Sequence, residues 1–171
     1  MEIILVISII GIFSTVAVPK MARILDKVCL DYEMKHLYSD LNFARSLGKS
    51  STFSGAGFPQ VSDNQHKIEF WIYGQAYDTV SARNRYQIMR PSLNVTPYYR
   101  HNLSNDIHLE FSRGNLVKKI SFDNKSYYYD LDNNSSNTVI LRTKPDYESK
   151  IYHEAKIVFD SVGRWRGTYE K

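Results

Sequence analysis

The sequence predicts an α+β protein: a long N-terminal α-helix packed on a C-terminal antiparallel β-domain, either a sandwich or an open sheet. Three observations carry this. Residues 3–18 form an apolar run interrupted only by Ser8, Gly11, Ser14 and Thr15. Residues 20–47 place apolar side chains three and four apart, the period of a helix with one buried face. Beyond residue 66 the period falls to two, in a chain rich in tyrosine (13) and phenylalanine (8), residue types that suit strands. The 171 residues thus divide into an apolar half-helix (1–19), an amphipathic half-helix (20–48) and a β-domain (49–171) long enough for one core.

At about 1.5 Å per residue the apolar run covers roughly 24 Å, close to the roughly 30 Å of a hydrocarbon core. Glu2 stands at its head. A carboxylate at the membrane centre costs on the order of 2.5–3.5 kcal/mol, so it either snorkels to the interface or has a partner and a task. No Lys or Arg precedes Glu2, which speaks against a secretory signal peptide, although Thr15-Val16-Ala17 passes for a weak cleavage site. Lys20, Arg23 and Lys27 follow the run, and by the positive-inside rule alone they would hold the bulk of the chain in the cytoplasm unless a basic leader precedes it. Pro19 has no N–H for the Thr15 carbonyl, which predicts a bend there with the Ser14 and Thr15 hydroxyls available to the freed groups.

The second half of the helix carries Met21, Ile24, Leu25, Val28, Tyr32, Met34, Leu37, Leu41, Ala44 and Leu47 on one face, with Gly48 as its stop. A helix over 2–47 is about 69 Å long. A small domain cannot use that length for itself, so the first half requires lipid or neighbouring subunits. Cys29 and His36 read as packing and surface residues. Residues 50–64, rich in Ser and Gly, form a loop. Strands follow at 66–73, where Ile68, Phe70 and Ile72 alternate with polar or amphipathic positions, and at 86–89. Residues 91–105 look irregular. Three hairpins then follow by their turn chemistry: 107–111 with 116–122, 127–131 with 138–142, and 151–159 with 164–169.

A net charge of +4 and a pI near 9.0 permit contact with nucleic acid or an anionic surface without requiring it. One cysteine excludes an internal disulfide and any cysteine-based zinc site. Three catalytic look-alikes fail on inspection. Ser46-Leu47-Gly48-Lys49 and Ser62-Asp63-Asn64 match two marks of penicillin-recognising enzymes, but the third, K-T-G, is absent. Asp130-x-Asp132-x-Asn134 opens like a calcium loop, yet Ser135 replaces its glycine and Leu141 its bidentate acid. His153-Glu154 lacks the second histidine of H-E-x-x-H. The expectation is therefore no enzyme, no metal and no cofactor.

Residues 2–19, EIILVISIIGIFSTVAVP, closely resemble the N-terminal segment of type IV pilins and pseudopilins, through Glu2, Ile9-Ile10-Gly11-Ile12, Ala17 and Pro19. The resemblance implies a subunit held in the bacterial inner membrane with its β-domain in the periplasm, later drawn into a helical filament. Its implied partners are other pilin or pseudopilin subunits and the inner-membrane assembly platform. Glu2, Gly11 and Pro19 are the implied assembly residues, Glu2 neutralising the N-terminal amine of the adjacent subunit. In such proteins a prepilin peptidase removes a short basic leader at a Gly–Phe bond; here Met1 directly precedes the glutamate, so a leader is expected upstream of it. Many pilins close a C-terminal loop with a disulfide, which Cys29 alone cannot do.

Residues 157–167, IVFDSVGRWRG, resemble the ending of the H-type minor pseudopilins of type II secretion and of the T-type fimbrial minor pilins. Leu41-x-x-Ala44-Arg45-Ser46 is similar to an Ala-Arg-Ser segment at the end of their helix, although Leu47 departs from the acidic residue often found next. The reading is a minor pilin or pseudopilin at or near the filament tip, involved in initiating assembly. In T-type minor pilins the Gly-Arg-x-Arg element is associated with DNA binding in natural transformation, which points to Gly163, Arg164 and Arg166, with Lys156 and Lys171 adding to the field. On a strand, Arg164 and Arg166 share a face about 6–7 Å apart, suited to adjacent phosphates and independent of sequence. The competing reading is a tight turn with two arginines that keep a sheet edge soluble. A membrane-anchored periplasmic enzyme or adhesin is the remaining alternative, and an occupied polar pocket in the β-domain would favour it.

Overall fold

The structure is a computed structural model that describes residues 2–50, 68–77, 79–89, 97–112, 116–122, 128–130, 138–144, 153–160 and 164–170. Helix α1 (Glu2–Ser50) runs 49 residues, about 74 Å, without interruption at Pro19. Gly48 lies within it rather than ending it. The Ser14 and Thr15 hydroxyls donate to the carbonyls of Ile10 and Ile12, at 2.8 and 2.7 Å. They turn back toward the N-terminus, as hydroxyls in helices do, and so do not serve groups freed by Pro19.

Among the described residues nine strands follow: β1 (Ile68–Tyr73), β2 (Arg85–Met89), β3 (Tyr99–Asn102), β4 (Ile107–Phe111), β5 (Val117–Phe122), β6 (Tyr128–Asp130), β7 (Thr138–Thr143), β8 (Glu154–Phe159) and β9 (Trp165–Glu170). They form two antiparallel sheets, ordered β3-β2-β1-β5-β6 and β4-β7-β8-β9. In the first, Phe70 of β1 opposes Ile88 on one side and Ile120 on the other, so three strands present apolar side chains to the same face. In the second, Leu109, Leu141 and Ala155 align across β4, β7 and β8. Both faces join α1 in one core that includes Leu30, Met34, Leu37, Leu41 and Ala44. Across the sheets, Phe122 of β5 meets Trp165 of β9 at 5.9 Å between ring centres, and Lys118 Nζ sits 5.2 Å over the Phe159 ring.

Two of the three hairpins read from the sequence do not form. Strands β4 and β5 enter different sheets, β4 pairing with β7 while β5 fits between β1 and β6. Likewise β6 belongs to the first sheet and β7 to the second. Alternation fixes which face a residue takes, not which strand lies beside it, and a turn sequence also serves a crossing between sheets. The connecting residues 113–115 and 131–137 lie outside the described residues, as does the loop read at 50–64 apart from Ser50. The third hairpin is present, with Phe159 opposite Trp165 and Glu154 opposite Glu170. Strand β3, within the stretch read as irregular, is a half-exposed edge strand of Tyr, Arg, His and Asn with no apolar alternation to announce it.

Burial along α1 begins later than its apolar stripe. Met21, Ile24, Leu25 and Val28 are 59–66% exposed, and the first core residue is Leu30, with Cys29 packed against its rim. From there two histidines fasten the helix to the first sheet. His36 Nδ1 lies 2.7 Å from the Tyr86 hydroxyl and 3.0 Å from Asp40 Oδ2, and the same hydroxyl donates to Asp40 Oδ2 at 2.8 Å. Burial and the Asp40 carboxylate together push the Tyr86 phenol far up. The His101 ring stacks on His36 at 4.4 Å and its Nε2 meets Glu33 Oε2 at 2.8 Å, while the Ser104 N–H donates to Glu33 Oε1 at 3.0 Å.

Candidate functional site

Two regions stand out among the described residues. The first is the N-terminal part of α1. Ile3, Ile4, Val6, Ile7, Ile9, Ile10, Ile12 and Phe13 are all 45–75% exposed. Across the apolar window no described side chain is buried, and α1 is the one helix among the described residues long and apolar enough to cross a membrane. A contiguous apolar surface of this size on an isolated chain marks an interaction surface. Gly11 lies within it and has open space where a Cβ would stand, so its small size is not required by packing inside this chain. Glu2 is the first residue of α1 and Pro19 lies inside it; their side chains are outside the description.

The second region lies between α1 and β9. Asp160 staples the base of the β8–β9 hairpin: its N–H donates to the Arg164 carbonyl at 2.8 Å, and its carboxylate accepts from the Arg164 N–H at 2.8 Å and from Arg164 Nε at 3.0 Å. Trp165 then points inward, 7% exposed, against Phe122, Phe159 and the edge of Tyr38. Arg164 and Arg166, one residue either side of it, point outward, as a strand dictates. Tyr38, Asn42 and Arg45 of α1 complete a pocket of about 460 Å³ with Asp160, Arg164, Trp165 and Arg166. The Arg45 guanidinium lies 5.5 Å over the Trp165 ring, and its Nε is buried with no hydrogen-bond partner among the described residues.

Gly167 explains how β9 comes so near the helix. A Cβ built there would fall 2.7 Å from Met34 Cε, so only glycine allows this spacing without a shift. Two further residues tie the strand down: Tyr169 bonds Asp31, and burial together with that carboxylate raises its phenol to about 12. The Lys35 ammonium, bonded at 2.6 Å, and the Tyr169 hydroxyl hold the Asp31 carboxyl below its usual range.

Of the residues singled out from the sequence, Arg164 and Arg166 come together at the pocket, but Arg164 is already ion-paired with Asp160. Lys156 is engaged with Glu154 at 2.9 Å, in a cluster where Arg142 also donates to Glu154 at 2.9 Å. Gly163 and Lys171 lie outside the described residues. The sequence reading missed Arg45, Asn42, Tyr38 and Asp160 as pocket residues. Arg45 had a signal, the Ala44-Arg45-Ser46 segment, but nothing local ties the end of a helix to the last strand. Among the described residues no group of three or more His, Cys, Asp or Glu could hold a metal. Comparison of the chain with protein-family models, with curated proteins and with solved structures finds no match.

Proposed function

We propose that the chain is a minor pilin or pseudopilin: a structural subunit, not an enzyme, of a type IV pilus or type II secretion pseudopilus, placed at or near the tip and taking part in the start of assembly. The observation that carries this reading is the division of α1, which packs into the β-domain core from Leu30 onward while its N-terminal part exposes a run of large apolar side chains from Ile3 to Phe13. In this reading residues 1–19 cross the bacterial inner membrane, bend near Pro19, and pass into the apolar core of the filament. The two sheets close around the helix as a sandwich on the periplasmic side. Glu2 sets the register by pairing with the N-terminal amine of the neighbouring subunit, in surroundings where salt screens such a pair little. The assembly platform is a further partner, as is a prepilin peptidase if the protein carries a leader. The test is a Glu2→Ala chain expressed beside the other subunits. The proposal expects it to reach the membrane but to be lost from sheared filaments; recovery at the wild-type level contradicts the role.

A second reading is favoured by one observation, the outward projection of both Arg164 and Arg166 beside a pocket. It adds sequence-independent binding of DNA, as in DNA uptake, to the same scaffold. Such binding weakens steeply with salt. Unchanged affinity in an Arg164→Gln, Arg166→Gln chain removes the assignment.

A further inference from the structure

The geometry points to the cleft between α1 and β9 as a phosphate pocket anchored by Arg45, with a nucleic-acid strand as the carrier of that phosphate. This deepens the second reading above and rests on it. Arg45 differs from the other two arginines in being held. Its guanidinium is fixed over Trp165 and leaves one buried donor, Nε, unmet. A planar guanidinium on the wall of a pocket suits a tetrahedral oxyanion, which its terminal amino groups can meet with two hydrogen bonds. The carboxylate in the pocket, Asp160, accepts from the Arg164 side chain and from that residue's own N–H. Arg166, exposed and with no ion-pair partner among the described residues, stands ready for a neighbouring phosphate, and Asn42 and Tyr38 supply further polar groups.

The carrier follows from position. From Val18 to Arg45 the helix advances roughly 40 Å, which puts the pocket out of reach of lipid headgroups at the end of the apolar segment. Trp165 is covered by Arg45 and crowded by Tyr38, Phe122 and Phe159, so it offers no open face on which a base could stack. The pocket therefore reads the phosphate backbone and leaves the bases alone.

The test uses the full chain in neutral detergent. Phenylglyoxal modification of arginines, read by mass spectrometry, is compared with and without a short oligothymidylate, inorganic phosphate or polyglutamate. The inference expects the oligothymidylate, and more weakly phosphate, to protect Arg45. Protection by polyglutamate but not by the oligothymidylate overturns it in favour of an acidic protein partner. By fluorescence anisotropy, Arg45→Gln is expected to bind the labelled oligothymidylate about tenfold more weakly, with a salt slope shallower by about 0.7. If Arg45→Gln binds like wild type while Arg166→Gln does not, the role of Arg45 falls and the second reading stands. If the wild-type chain does not bind the oligothymidylate at all, both fall.

Discussion

At Gly167 the absence of one methyl group decides how closely β9 approaches α1. Gly167→Ala must displace the end of Met34, a flexible side chain, and is expected to cost about 1 kcal/mol, read as a lower urea midpoint. Glu154 makes a second residue-scale prediction. Burial raises its carboxyl pKa, but the bonds from Lys156 and Arg142 outweigh that and leave it below the ordinary 4.5. A carboxyl depressed in the folded state adds stability above its unfolded pKa and loses it as pH falls through the folded value. The midpoint of the wild-type chain should therefore drop as pH is lowered below 4.5, and Glu154→Gln should flatten that drop. At neutral pH the same substitution should cost about 1–3 kcal/mol. At this scale the candidate site was half legible. Arg164 and Arg166 announced themselves by strand alternation, whereas the Asp160 pairing and the contribution of Arg45 depend on a turn and a docking that no local pattern encodes.

Among the elements, α1 separates into two regimes that share one backbone. Leu37 is fully buried in the common core, so Leu37→Ala should cost about 2–5 kcal/mol. Ile10 is 60% exposed, so Ile10→Ala should leave the detergent-solubilised chain within about 0.5 kcal/mol of wild type. Equal effects at the two positions would show that the N-terminal half packs on its own domain. The helix and most strands were readable because their periods are local properties of the chain. Sheet membership was not, because β5 and β7 carry the same alternation whichever neighbour they take. The edge strand β3 escaped notice because a half-exposed edge needs no apolar face: it pairs through its backbone to β2, and its His101 serves the helix through Glu33.

For the whole molecule, the β-domain closes a core with α1 from Leu30 onward, and the proposal gives the exposed apolar first half to lipid or to like subunits. The described apolar side chains from Ile3 to Phe13 are exposed in this fold. The most direct measurement is thiol accessibility in intact membranes, in a Cys29→Ser background, with single cysteines at Ile10→Cys or Asn42→Cys and a membrane-impermeant maleimide. The account predicts that the cysteine at position 42 labels rapidly while that at position 10 stays protected until detergent is added. Equal labelling of both without detergent would contradict it.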